Sequence, residues 1–143
     1  MIMQKLRIHV DACGLKINKQ ETERVSDFNA FVADHIHKNY KTIARYIFTQ
    51  EMCENFESKM QEDSPFMKNA VEEIFYSLRD DLRWNLYLVC VMDDSEFEKL
   101  SSNEKLNFHS NKDFTRNIVI PISKLEEEIP VGIAFPIDIV CKT

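Results

Sequence analysis

The sequence predicts an α+β fold, a single mixed or antiparallel sheet with about three helices packed mainly on one face. Three observations predict it. Segments that are β-branched or alternate apolar and polar residues lie towards the two ends of the chain, and segments of helical period fill the middle. Strands first, helices next and strands again is the order of a sheet covered by segregated helices. Only two glycines and four prolines interrupt 143 residues, so no linker divides the chain and 1–143 reads as one domain.

Taken in order, Leu6 to Val10 alternates apolar residues with Arg7 and His9, the period of a half-buried strand. Gly14 turns the chain into "LKIN", where Leu15 and Ile17 alternate again, giving a short hairpin. Val25, Phe28, Phe31, Val32 and Ile36 then fall on one helical stripe. Glu21 and Glu23 stand near its positive dipole end, so a helix is expected from about Glu21 to Lys38. "KTIARYIFT" suits either period; its β-branched and aromatic content assigns 42–49 to a strand. Met52, Phe56 and Met60 recur at four-residue spacing in a further helix.

Ser64 can cap and Pro65 fits a first helical turn, where its missing N–H costs nothing. From Phe66 through Ala70, Val71 and Ile74 to Leu78 runs the clearest amphipathic helix, ending near Arg79. In "LRWNLYLVCVMDD", Trp84, Leu86, Leu88 and Cys90 point one way and Tyr87, Val89 and Val91 the other, as in a central strand covered on both faces. "DDSEFEKLSSNEKL" reads as a polar excursion with at most one helical turn, and Ile118 to Ile122 as a second strong strand.

At the end, Ile129, Val131, Ile133, Phe135, Ile137, Ile139 and Cys141 are apolar at every second position. Pro130 and Pro136 cannot donate ladder hydrogen bonds, so 129–143 is expected to be an edge strand or docked arm. It can lie on its own core or on another protein. Ile129, Val131, Ile133, Phe135 and Ile137 are its candidate partner-binding residues.

Composition narrows the function classes. Hydrophobic residues at 44% and charged ones at 29% are ordinary for a folded domain. Acidic residues outnumber basic ones 24 to 18, and no run of Lys or Arg interleaves with aromatics. Direct nucleic-acid binding, which needs clustered cations, is therefore not expected. No window approaches a membrane span, and the apolar N-terminal run is too short for a signal peptide, which leaves a cytoplasmic location. Cys13, Cys53, Cys90 and Cys141 are widely spaced, without a C-x-x-C pair, and read as reduced thiols rather than zinc ligands.

Each chemical motif has a plainer reading. Asp93 and Asp94 close an apolar strand, where acidic pairs of metal-dependent nucleases sit, yet no D-x-D and no following glycine accompanies them. His9, Asp11 and Cys13 would share a strand face, as a Cys–His nucleophile pair requires, or form an ordinary polar face. His35 and His37 lie in the expected helix, where residues two apart point away from each other. Glu57 and Lys59 form an E-x-K on a helix with no strand leading into it. With glycines only at 14 and 132, phosphate loops, dinucleotide folds and nucleophile elbows are removed.

The stretch "LRWNLYLVCVMD", a polar loop, "NKDFTRNIVIPI" and an extended proline-bearing end resemble the middle components of bacterial ABC-three-component systems, the Lamassu-like anti-phage modules. There a W-x-N-x-Y-L strand precedes an acidic residue, then an Asp and an Arg-Lys pair leading into a second strand. Trp84, Asn85, Tyr87, Asp113 and Arg116 occupy the matching places. Asn117 stands where Lys is usual and Asn111 where an acidic residue is common, so a shared charged site does not carry over to those two positions. The likeness spans Leu82 to Ile137.

It implies a non-catalytic accessory subunit without cofactor or metal, bridging an SMC-like or RecF-like ATPase and a nuclease effector. Asp113 and Arg116 are expected to form a structural ion pair. Two other classes compete: a small metal-dependent nuclease or phosphodiesterase using Asp93 and Asp94, and an antitoxin-like immunity protein whose acidic surface meets a basic toxin.

Overall fold

A computed structural model describes residues 2–12, 14–36, 41–111 and 114–124. In chain order the elements are α1 (Ile2–Ala12), β1 (Lys16–Ile17), α2 (Lys19–Val25), β2 (Ala30–Ile36), β3 (Thr42–Gln50), α3 (Cys53–Met60), α4 (Glu72–Ser77), α5 (Asp80–Arg83), β4 (Leu86–Met92), α6 (Asp94–Lys99), α7 (Ser102–Ser110) and β5 (Arg116–Pro121). The class is α+β, with one mixed sheet in the order β1-β2-β3-β4-β5. The β1–β2 and β2–β3 pairs are antiparallel; β3–β4 and β4–β5 are parallel.

Each parallel pair needs a crossover. The first runs through α3, α4 and α5, the second through α6 and α7. Phe56, Met60, Ile74, Leu82, Leu100 and Phe108 from these connections join one core with Leu86, Leu88, Cys90 and Met92 of β4. On the opposite face, Leu6 and Val10 of α1 join a second core with Phe31, Tyr46, Phe48, Tyr87, Val89 and Val91. β4 is thus buried on both faces, as its continuous apolar run predicts.

Six expectations are corrected. Leu6–Val10 is helical, because Leu6 and Val10, four apart, bury one face while Ile8 is exposed. Gly14 at φ 90° ends that helix, with Gly14 N–H bonding the Asp11 carbonyl at 3.1 Å and Leu15 N–H the Val10 carbonyl at 3.2 Å. The predicted hairpin therefore does not form, and Lys16–Ile17 pairs with Ala33 and Asp34 of β2.

The helix expected from Glu21 to Lys38 stops after α2. A 3-10 turn at Ser26–Phe28 is closed by Asn29 in the left-handed region, and the chain leaves extended. Phe31 and Ala33 face one core and Ala30 and Val32 the other, so the apparent stripe is a strand buried on both sides.

Trp84 precedes β4 in a turn and is 75% exposed, instead of lining the strand face with Leu86. The polar excursion folds into α6 and α7, the latter opened by a reciprocal capping box between Ser101 and Glu104. These changes raise the helix count to seven α-helices among the described residues, against about three expected.

Other elements follow the sequence. β3 is a strand, and α3 spans Cys53–Met60. Ser64 Oγ accepts from Met67 N–H at 3.1 Å. The helix it starts contains a π turn at Met67–Val71 and continues as α4. No helix among the described residues is long and apolar enough to cross a membrane.

Candidate interaction site

The family-like residues Trp84, Asn85, Tyr87 and Arg116 converge where β3, β4 and β5 begin. Asn85 pins the entry of β4: its N–H bonds the Leu82 carbonyl at 2.9 Å and its amide nitrogen donates to Ile43 O at 3.1 Å. Its own carbonyl accepts from Arg45 N–H at 3.0 Å. Asn85 thereby ties β4 to β3 twice, through its backbone carbonyl and its side-chain amide, in the parallel register. Tyr87, buried, stacks on Tyr46 with ring centroids 5.0 Å apart. Tyr87 and Arg116 are register partners, and the Arg116 guanidinium lies 6.0 Å from the Tyr87 ring. Arg116 Nε donates to the Trp84 carbonyl at 2.9 Å, so the turn before β4 is held from β5.

Beside this turn lies an aromatic group. Phe75, Tyr76 and Phe114 meet edge to face, with centroids 5.2 to 5.8 Å apart. Arg83 donates from Nε to Phe75 O and from Nη2 to Tyr76 O, each at 3.1 Å, at the end of α4, where Phe75 O also accepts from Leu78 N–H at 3.2 Å. Tyr76 is 58% exposed. The fold thus brings Arg83 and Arg116 among aromatic rings, an association invisible along the chain.

Asn117 points into the core. Its amide nitrogen donates to Phe108 O at 3.0 Å and Asn111 O at 2.8 Å, and its oxygen accepts from the Thr115 hydroxyl. It closes the C-terminal end of α7. Asp113 lies outside the described residues, so its pairing with Arg116 is not described. The same holds for Ile129, Val131, Ile133, Phe135 and Ile137, and for Cys13 and His37.

The competing motifs are dispersed. Asp93 and Asp94 are exposed at the opposite ends of the parallel strands, and Asp94 Oδ1 accepts from Ser123 N–H at 3.2 Å. Nearby Glu96 accepts from Cys53 N–H at 2.9 Å and from Lys99 Nζ at 2.7 Å. The Lys99 bond, then the Cys53 bond, holds the Glu96 carboxyl below its ordinary range. Among the described residues no three His, Cys, Asp or Glu side chains are grouped to hold a metal ion. His9 and Asp11 stand on α1, where residues two apart do not share a face. His35 is on β2 rather than in a helix.

Cys53 and Cys90 are free thiols, and burial pushes Cys90 up to about 12, away from reactivity. Lys59 of the E-x-K turns inward. Its Nζ donates to Phe28 O at 2.7 Å, to Thr49 Oγ1 at 2.8 Å and to Gln50 O at 3.4 Å, and lies 3.3 Å from Glu51. Its role is to join three segments of backbone.

No family model matches the chain, and neither a curated protein nor a solved structure matches it.

Proposed function

We propose that this chain is a non-catalytic accessory subunit of an intracellular bacterial anti-phage or anti-plasmid complex. In this reading it bridges an SMC-like or RecF-like ATPase and a nuclease effector and acts in the cytoplasm. The observation that carries the reading is the use made of the motif residues. Asn85, Tyr87 and Arg116 build and brace a rigid corner, and what that corner offers outward is the exposed Trp84. Aromatic and arginine side chains on a fixed scaffold suit recognition of another protein.

The arm from Ile129 to Ile137 is the second contact under this reading, by strand addition or by filling a groove. The test is expression from the native locus with neighbouring genes intact, followed by purification through a tag on this chain. A stable assembly containing a large ATPase is expected. Substitution of Ile133 and Phe135 by Asp should release the partner while the circular dichroism of the isolated chain is retained. Recovery of the chain alone, or magnesium-dependent nuclease activity abolished by Asp93→Asn, would count against the reading.

A further inference from the structure

We infer that α2 is a plug on the outer edge of β2, held there by Thr22 and the preceding Asn18, and that it closes this edge against strand pairing with a second copy of the chain. The subunit reading plays no part in this. A sheet ladder breaks at Asn18, and a side chain supplies the bond that the backbone withholds.

β1 covers little of β2. Lys16 stands opposite Asp34 and Ile17 opposite Ala33, a register that continues to Asn18 opposite Val32. Asn18 N–H does bond the Val32 carbonyl, at 2.8 Å. In an unbroken antiparallel pair the Asn18 carbonyl would return a bond to Val32 N–H. Here that carbonyl is the first acceptor of α2 and takes Thr22 N–H at 2.9 Å. Thr22 provides the replacement: its Oγ1 accepts from Val32 N–H at 2.9 Å and donates to Val32 O at 3.3 Å. The strand thus becomes a helix without leaving an open donor on β2.

Asn18 fastens the plug from its other side. Its Oδ1 caps α2 by accepting from Glu21 N–H at 3.0 Å, and its Nδ2 donates to Asp34 at 2.9 Å. At seven residues α2 is too short to persist by itself, so its place on the edge depends on these bonds and on buried Val25.

An uncovered edge is a template for another strand. β2 suits pairing, since it runs for seven residues with Phe31, Val32 and Ala33 fully buried, while β1 screens only two positions of it. An antiparallel strand can pair with its own copy about a two-fold axis and needs no other sequence, which makes a second copy the occupant of the opened edge.

The experiment compares the full chain with Asn18→Ala/Thr22→Val and with Thr22→Ser, by amide exchange at Val32 and by sedimentation velocity over a range of concentrations. Thr22→Ser keeps the hydroxyl and should match the parent chain in both. In the double variant, Val32 should exchange about tenfold faster or more in dilute solution, the loss of a hydrogen bond to a buried amide. Raising the concentration should yield a dimer in which Val32 is slow again. Should the double variant lose its far-ultraviolet circular dichroism, Thr22→Val alone, which leaves the Asn18 cap in place, carries the same comparison. Unchanged Val32 exchange, no dimer at high concentration, or a dimer in which Val32 still exchanges fast overturns the inference.

Discussion

Arg116 and Trp84 are joined by a hydrogen bond from the guanidinium Nε to the Trp84 backbone oxygen, 2.9 Å long. It links the first residue of β5 to the turn that launches β4, across a parallel pair whose strands are distant in sequence. The acceptor is neutral and the donor exposed, so the bond contributes about 1 kcal/mol. Arg116→Met keeps the aliphatic stem near Tyr87 and removes the donor. A stability loss of about 1 kcal/mol is expected in urea titrations. Trp84 is the sole tryptophan, so its emission anisotropy should fall too. Unaltered anisotropy would show that the turn is held by other contacts.

Lys59 carries a larger share of stability. Its ammonium meets Phe28 O, Thr49 Oγ1, Gln50 O and Glu51, with the side chain only 11% exposed. Lys59→Met preserves length and packing but leaves these acceptors without their donor. The expected cost is about 3 kcal/mol, towards the range for breaking a charged, largely buried network. Measured by denaturation at pH 7, a cost under about 1 kcal/mol would mean that water replaces the ammonium freely.

Across β2 and β3, Asp34 and Arg45 are direct register partners, bonded Nε to Oδ1 at 2.7 Å and Nη2 to Oδ2 at 3.1 Å. Asn18 donates a third bond to Asp34 at 2.9 Å. Asp34→Ala leaves the guanidinium without its counterion inside the sheet and should cost about 3 kcal/mol. A double change to apolar residues of similar size should recover most of that loss, since the charges themselves cost desolvation. If the double variant is as unstable as the single one, the pair itself is stabilising.

The contrast between Lys59 and β4 shows what was legible in the sequence. β4 is decided locally: seven consecutive apolar residues between polar ends leave little but a doubly covered strand. Ser64–Pro65 likewise announces its helix by cap chemistry. Leu6–Val10 misleads because five residues satisfy both a two-residue alternation and an i, i+4 pair, and the deciding signal, Gly14 as a helix terminator, stands outside the segment.

Val25 to Ile36 misleads because strand burial on both faces mimics a helical stripe; Asn29 in the left-handed region breaks it. At the site, Trp84, Asn85, Tyr87 and Arg116 can be named from the chain. Their roles cannot, because the partner of Asn85 is the carbonyl of Ile43, 42 positions away, and Lys59 works on Phe28 at a separation of 31. Long-range hydrogen bonds leave no periodic trace.

Glu96 gives the fold a dependence on pH. The Lys99 and Cys53 bonds lower its folded value from the ordinary 4.5, so it stabilises the native state above about 4.5 and that contribution fades as pH falls through the lower folded value. Lys99 is raised from 10.5, chiefly by the Glu96 bond, and its contribution is present below that value and lost as pH rises through the higher folded one. Glu96→Gln should therefore destabilise at pH 7 and flatten the acid limb of a stability profile taken from pH 3 to 7. An acid limb identical to that of the parent chain would assign the dependence to other carboxylates.

Asn117 tests whether the entry to β5 ends α7 by its side chain. Its amide supplies two donors to the end of α7 and one acceptor to Thr115, all within the core. Asn117→Leu keeps the volume and leaves two carbonyls and a hydroxyl without this partner, a loss of about 2 kcal/mol. Asn117→Asp keeps the shape but puts a carboxylate against the negative end of a helix, in place of the donors, and should be worse at pH 7. The order of stability expected is Asn, then Leu, then Asp. The Asp variant should regain stability as pH falls, because burial beside carbonyls raises its folded pKa above the usual value of about 3.9 and the protonated form is favoured in the native state. An Asp variant as stable as the parent chain at pH 7 would mean that the amide donors contribute nothing to ending α7.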